Sequence, residues 1–311
     1  MRRAARTIFA VGAIGLALLL AVGWFGAVHP AFDSVAHFRV HIAFVAVIVL
    51  VMAIALKLRT LAATLLLTVV VSLVLTYPSL PGLAPDGGRA SFTVAQQNLL
   101  YLNVLPEQAA RTLGASGADI LLLQEVSERN AAIVDGLATA YPHRTICRFR
   151  KFRGVAILSK APFATEPACL DRGGLTSVGI VIGGRTVTFA SLHTYWPWPY
   201  PQWTTIRSIE TELRALPQPL VLAGDFNAAP WSALVGKIAR DTRTQVVPGL
   251  RFTFNLRPLQ GGDHRFGGLP LDHVLHSDGL QPTGIELLPH VGSDHLGSLA
   301  GFTFSSAAIS R

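Results

Sequence analysis

Charge is scarce in this chain. Only 14% of its 311 residues are Asp, Glu, Lys or Arg, half are hydrophobic, and the mean hydropathy is positive. A chain so poor in charge is too apolar for one ordinary soluble domain, and implies membrane segments joined to a globular part. Acids are fewer than bases, 18 against 26, for a formal charge of +8. Such an excess points to a nucleic-acid partner only when it sits on the globular part. Here it does not. Arg2, Arg3, Arg6, Arg39, Lys57 and Arg59 precede residue 81, with Asp33 the sole acid. That leaves 20 bases and 17 acids beyond it, an excess of only three. Cysteine is nearly missing: Cys147 and Cys169 are compatible with an oxidising compartment and with pairing, or with two free buried thiols. Internal repeats and low-complexity tracts are lacking too.

What the chain has in quantity is apolar runs, and three fill its first quarter: about 8–28, 40–56 and 61–80. The first is long enough to cross a hydrocarbon core of about 30 Å as a helix. A cleavable signal peptide is the competing reading of that run, given the basic start MRRAAR, but two more runs follow. Three transmembrane helices are therefore expected over residues 1–80. Three Arg at the N-terminus, and Lys57 and Arg59 in the short second connection, place those ends in the cytoplasm by the positive-inside rule. Three crossings then put the remainder in the periplasm or outside the cell, carried by an integral protein of the inner or plasma membrane.

The Pro- and Gly-rich stretch YPSLPGLAPDGGR ends the apolar pattern, and residues 81–90 read as a linker. Residues 91–311, about 220 in all, suffice for one sizeable core. Within them, short apolar stretches read as strands: Ser91–Gln97, Ile120–Gln124, Gly154–Ser159, Val178–Ile182, Thr186–Leu192, Pro219–Ala223 and Leu271–His276. Pro106–Leu113, Ser127–Leu137 and Gln202–Leu216 read as helices. The Gly173-Gly174 and Gly183-Gly184 pairs suggest hairpins. Strands and helices do not alternate regularly, so packed antiparallel-rich sheets with outer helices fit better than a doubly wound parallel sheet.

Polar residues gather where the apolar strands end: Gln97-Asn98, Gln124-Glu125, His193-Thr194, Asp225-Phe226-Asn227, Asp272-His273 and Ser293-Asp294-His295. A strand end lets a rigid scaffold aim a side chain into a cleft. Carboxylates, amides and imidazoles converging there suit metal-assisted phosphoryl transfer, since Mg²⁺ takes hard oxygen ligands and the attacking water needs a base. Taken singly, each position has a plainer reading. Glu125 is then an acid opening a helix, Asp225 and Asn227 build a turn, and the histidines are packing residues. His273, His276 and His290 are read as surface or packing residues throughout.

Taken in order, QQN, LLLQEV, GVAILSK, LHTYWP, LAGDFNAAPWS, LDHVL and SDHLG resemble the endonuclease/exonuclease/phosphatase superfamily over residues 91 to 305. The resemblance implies an α/β fold, a four-layer α/β/β/α sandwich of two mainly antiparallel sheets. It implies a metal-dependent hydrolase cleaving a phosphodiester or phosphoester bond by in-line attack of water. Mg²⁺ is the implied ion, with Mn²⁺ as the alternative. Glu125 resembles the principal metal ligand, with Asn98 beside it and Asp294 as a further metal-side acid. Asp225 resembles the residue that orients or deprotonates the water, and Asn227 the amide that holds it or a phosphate oxygen. His193 and His295 would bind phosphoryl oxygens, although His295 matches a residue often described as the base. Asp272 would orient His295. A second acid of the nuclease members has no match; Arg153-Gly154 stand in its place, which weakens a deoxyribonuclease reading.

Nucleic acid, lipid and small-molecule phosphoesters all remain open as substrates, and nothing requires a protein partner. The aromatic run YWPWPYPQW, Tyr195 to Trp203, is either a packed Pro-stiffened loop or a lip beside the site, and Trp231 is expected to pack the GDFN loop. A membrane-tethered binding module without catalysis is the competing functional class.

Overall fold

A computed structural model describes residues 2–79, 88–148, 154–255 and 267–305. Leu80, most of the expected linker, Arg153 and the last six residues lie outside the described residues.

The apolar runs form helices α1 (Arg2–Val22), α3 (Arg39–Ala55) and α4 (Arg59–Thr76), with a short α2 (Pro30–Ala36) between the first two. Pro30 occupies the first turn of α2, where its missing N–H costs nothing, and the His29 ring nitrogen accepts the Ala31 N–H at 3.1 Å. Ala13, Ala17, Ala43, Ala46 and Ala53 line the contact of the long helices and let their backbones approach. Ile8, Val11, Leu18, Phe44, Val51, Leu67 and Val74 point outward and exposed, as lipid-facing residues would. Arg6–Phe25 and Arg59–Thr76 are each long and apolar enough to cross a membrane; α2 and α3, bent by 62°, qualify as a third span only together.

The rest builds two six-stranded sheets. Strands β1 (Phe92–Asn98), β2 (Ile120–Val126), β3 (His143–Arg148), β4 (Gly154–Ser159), β11 (Leu280–Leu287) and β12 (Ser298–Phe304) form the first, in the order β11-β12-β1-β2-β4-β3. Strands β5 (Ala168–Leu170), β6 (Leu175–Ile182), β7 (Arg185–His193), β8 (Leu220–Asp225), β9 (Gln245–Val246) and β10 (Asp272–His276) form the second, in the order β5-β6-β7-β8-β10-β9. Each sheet holds one parallel pair, β1 with β2 and β7 with β8, and every other pairing is antiparallel. The Gly183-Gly184 turn, both residues at positive φ, closes the β6–β7 hairpin.

Period-2 alternation decides which way each strand faces. Phe92, Val94, Ile120, Leu122 and Ile157 of the first sheet meet Val178, Val187, Phe189, Val221 and Val274 of the second in one dry interlayer. The opposite face of the first sheet packs on α5 (Pro106–Gly114) and α6 (Ala131–Gly136). That of the second packs on α7 (Gln202–Ser208), α8 (Glu210–Ala215) and α9 (Ala233–Thr242). The architecture is the expected α/β/β/α sandwich.

Several element boundaries differ from the sequence reading. β3, β5, β9, β11 and β12 had no strong apolar alternation to mark them, and α9, although Ser232 caps it, was not read from the sequence. The helix expected at Ser127 starts at Ala131, because Asn130 accepts the Ser127 N–H and ties residues 127–130 into a turn. The helix expected over Gln202–Leu216 breaks at Ile209. Cys147 and Cys169 are disulfide-bonded, with Cα atoms 5.4 Å apart. The bond joins β3 to β5, and so clamps together two sheet edges that share no ladder.

Candidate active site

The carboxyl ends of both parallel pairs open on the same side of the sandwich. Register puts His193 beside Asp225, and Asp225 beside Asp272, so three polar side chains from β7, β8 and β10 form one row. Asn98 ends β1 opposite Gln124 on β2. A parallel pair necessarily ends at one edge, and there a cleft can hold a ligand.

Local backbone devices aim these residues. Glu125 has φ +56 at a bulge between Gln124 and Val126. A bulge re-aims one side chain: Gln124 stays between the sheets while Glu125 turns into the cleft. The Tyr101 N–H donates to the Glu125 carboxylate at 2.9 Å, and the Asn130 amide donates to the Glu125 carbonyl at 2.8 Å. Gly224 has φ +155, and a Cβ there would run into the Leu192 carbonyl of β7. The glycine lets β7 and β8 stay paired to their last residues. Asn227, at φ +46, occupies a region asparagine tolerates better than most residues.

Asp225 is the centre. Its Oδ2 accepts the side-chain amides of Asn98 at 3.0 Å and Asn227 at 3.2 Å. Nε2 of His193 stands 3.5 Å from it and Nε2 of His295 3.7 Å. Its Oδ1 accepts the Asn227 N–H at 2.8 Å. Glu125 Oε1 lies 3.8 Å from His193 Nε2. On the far side of His295, Nδ1 meets Asp272 Oδ2 at 2.7 Å. Ser293 Oγ donates to the Asn98 carbonyl at 2.7 Å and accepts the His295 N–H at 3.1 Å, which fixes the Ser293–His295 turn against β1.

The electrostatics follow from burial. Desolvation pushes the Asp225 carboxyl up to about 7, against the pull of His295. Burial works to lower His295, but the charges of Asp272 and Asp225 prevail and hold it up at about 10. Burial works to raise Asp272, yet the His295 ion pair brings it below the usual carboxylate range. Burial raises Asp294, opposed by His295 and reinforced by Glu125. The two flanking carboxylates thus favour the charged form of His295, while burial favours the protonated form of Asp225 relative to an ordinary carboxylate.

All eight residues singled out in the sequence border this cleft or its hydrogen-bond network: Asn98, Glu125, His193, Asp225, Asn227, Asp272, Asp294 and His295. Gln96 was missed. Its amide donates to Asp272 Oδ1 at 2.7 Å and Gln124 Oε1 at 2.8 Å, bridging the sheets and fixing Asp272 from behind. Alternation carried the signal, since Phe92, Val94 and Gln96 share the interlayer face of β1. His273 and His276 are buried packing residues, as expected.

The donor set fits a hard divalent cation. Asn227 Oδ1 is buried with no hydrogen-bond partner among the described residues, and the Glu125 and Asp294 carboxylates repel each other at the same cleft. Asp225, Asp272 and His295 also bring ligand atoms within 4.8 Å of one another. Within that trio, the Asp272–His295 ion pair already occupies two groups.

Residues 95–295 match the Endonuclease/Exonuclease/phosphatase family. The chain belongs to that family. Its members are phosphoester hydrolases, and the two-sheet sandwich described above is their fold. The structure is similar to an endonuclease/exonuclease/phosphatase from Beutenbergia cavernae, at TM-score 0.57 and 17% identity, covering 70% of this chain and 73% of that one. It is similar to D. rerio TDP2 complexed with a single-strand DNA product, at TM-score 0.56 and 16% identity, covering 68% and 98%. It is also similar to sphingomyelinase C from Streptomyces griseocarneus, at TM-score 0.50 and 20% identity, covering 69% and 99%. A search of curated proteins finds no match. At these identities the likeness speaks for the fold, and the substrate has to be argued from this chain's own site.

Proposed function

We propose that this family member is a membrane-anchored, Mg²⁺-dependent hydrolase that cleaves a phosphodiester or phosphoester outside the cytoplasm. The observation that carries the reading is the convergence of Asn98, Glu125, His193, Asp225, Asn227 and His295 on one cleft from both sheets. Glu125, Asn98 and Asp294 would hold the ion, with Mn²⁺ as an alternative; when bound, it neutralises charge on the phosphate and helps to ionise water. Asp225 orients the water and accepts its proton, while Asn227 fixes the Asp225 carboxylate through both its N–H and its amide. His193 and His295 face the same oxygen, and on this reading they stabilise the negative charge that develops on the phosphoryl oxygens. His295 suits that role rather than the base, because Asp272 favours its charged form.

Membrane side is inferred from a contact. The Asp33 carboxylate of α2 accepts the N–H of Ala233 in α9 at 2.7 Å, so the first connection and the catalytic sandwich lie on one side of any bilayer. That holds when α3 and α4 both cross, which favours three spans over two. Together with the basic N-terminus, it supports a cytoplasmic start and an external sandwich. The Cys147–Cys169 bond suits the same oxidising side. Residues 1–80 then serve as the anchor, 81–90 as linker and 91–311 as the catalytic domain.

The membrane setting favours a lipid-linked or extracytoplasmic phosphoester over DNA, since the catalytic part carries an excess of only three positive charges. The aromatic run supports a site near the bilayer surface: Trp196 and Trp198 are 42% and 51% exposed, and Trp196 meets edge-on the ring of Phe254, whose centroid lies 5.0 Å from that of His295. The test is turnover of bis-p-nitrophenyl phosphate by the full chain in detergent. Activity should require Mg²⁺ or Mn²⁺, vanish with chelator and vanish in Asp225→Ala. Absence of metal-dependent turnover, or full activity in Asp225→Ala, defeats the assignment and leaves the binding-module reading.

A further inference from the structure

Asp33 is the only acid in the first 80 residues, and it is 1% exposed. Burying an acid between membrane helices and a soluble domain is costly unless its oxygens are satisfied. They are satisfied by the catalytic sandwich. Oδ1 accepts the Ala233 N–H at 2.7 Å; Oδ2 accepts the Leu234 N–H at 3.1 Å and the Trp203 indole N–H at 3.2 Å. A second bond crosses the same junction, from the Trp231 indole to the Ala36 carbonyl at 2.6 Å. Trp231 thus packs on α2 as well as following the GDFN loop. Gly26 lets α2 come this close, because a Cβ there would collide with the Asp33 carboxylate.

Ala233 and Leu234 open α9, where the first N–H groups have no partner within the helix. Ser232 takes one of them, the Val235 N–H at 3.1 Å, and Asp33 takes the two before it. A carboxylate at that end also meets the positive pole of the helix. The cap of α9 is therefore split between its own chain neighbour and a residue two hundred positions away in the membrane anchor.

This placement bears on the site. The loop carrying Asn227 runs from the end of β8 to α9, and Asp33 grips its far end at Ala233 and Leu234. Asp33 also grips Trp203, whose neighbour Gln202 donates to the carbonyls of Phe226 at 2.9 Å and Asn227 at 3.0 Å. Two supports of the loop thus lead to the same carboxylate, while Leu271, Thr194 and His273 hold it from the sheet side at Phe226, Asn227 and Ala228. Asn227 itself is at positive φ, a conformation that persists only when its surroundings impose it.

We propose that Asp33 is a positioning residue for the active site, so that the α1–α3 connection is a working part of the catalytic unit and not merely its tether. The inference rests on the functional reading above for the role of Asn227. Losing Asp33 loosens the α9 end of the 226–234 loop and the Gln202 brace, and Asn227 fixes Asp225 less firmly.

The test uses the full chain in nanodiscs, as wild type, Asp33→Ala and Asp33→Asn. For Asp33→Ala, kcat on bis-p-nitrophenyl phosphate should fall about tenfold with KM within about twofold, since the loop orients the water rather than the substrate. Asp33→Asn keeps one acceptor oxygen and should recover part of the loss. Hydrogen exchange of segment 226–234 should rise at least about tenfold in Asp33→Ala while β8 stays protected. Wild-type kcat in Asp33→Ala overturns the proposal, as does unchanged exchange at 226–234. A uniform loss of protection including β8, with kcat falling only in step with the folded fraction, also overturns it. Should the wild type show no metal-dependent turnover, the functional reading fails by itself, and the exchange result still decides whether Asp33 holds the loop.

Discussion

His295 meets Asp272 through Nδ1 at 2.7 Å and turns Nε2 toward Asp225 at 3.7 Å. The Asp272 carboxylate thus sets both the direction and the charge of the ring, and Gln96 holds that carboxylate from behind. The two nitrogens have separate duties.

Replacing Asp272 with Asn keeps the shape and removes the charge. Orienting partners of this kind are worth about 10- to 100-fold in activity, and Asp272→Asn should lose that much in kcat. NMR titration of His295 should show its pKa falling, because its nearest anion is gone. A variant with wild-type kcat and an unmoved His295 titration would remove Asp272 from the positioning network.

At Gly224 the constraint is steric. A methyl group would strike the Leu192 carbonyl where β7 pairs with β8, and the φ of +155 disfavours any side chain. Gly224→Ala should cost on the order of 3 kcal/mol or more in stability, seen as a lower urea midpoint, and should displace Asp225. An unchanged midpoint with full activity would contradict the placement of this strand end.

The Cys147–Cys169 bond closes a loop of 22 residues between two sheet edges. Cross-links of that span contribute about 3 kcal/mol in the chain-entropy account. Cys147→Ser should lower Tm by roughly 10 °C in a domain of this size. A reducing agent should lower the wild-type Tm similarly and leave the variant alone.

His273 gives the pH prediction. Burial chiefly lowers its pKa, to about 4 in the folded chain against 6.5 unfolded. Its Nε2 stands 2.7 Å from the Ala228 carbonyl, a geometry the neutral ring satisfies as donor. A depressed folded value means that the histidine's contribution is fully present above pH 6.5 and is lost as pH falls toward 4. The urea midpoint should drop over that window, and His273→Gln, which cannot take up the proton, should flatten the drop. Equal slopes for both proteins would count against a buried neutral His273.

Trp196 tests the aromatic lip. Half-exposed, it covers Phe254 beside His295. Trp196→Ala should raise KM on the true substrate severalfold, with Tm within a degree or two, because little buried packing is lost. Unchanged kinetics there would make the run a packed loop only.

Much of this was legible in residue order. Apolar runs announce spanning helices because hydrocarbon admits few charges, and LVLAGDFN announces a strand and its polar end because alternation and turn chemistry are local. Most site residues share that origin: Asn98, Glu125, His193 and Asp225 lie where apolar strands end, whereas Asp272 opens β10 and Asp294-His295 precede β12. The boundaries that went astray, at Ser127 and Ile209, depend on side-chain hydrogen bonds and packing that no periodicity records.

Sequence by itself determined that this chain has apolar helices long enough to span a membrane, a series of short strands and a set of polar strand ends, since each rests on contacts between near neighbours. Tertiary structure decided the rest: that Gln96 braces Asp272 across the sheets, that Cys147 and Cys169 join two edges, and that Asp33 caps a helix two hundred residues away. Those pairings depend on how the layers stack. Layer stacking is fixed by the summed burial of the whole core, which no short stretch of sequence contains.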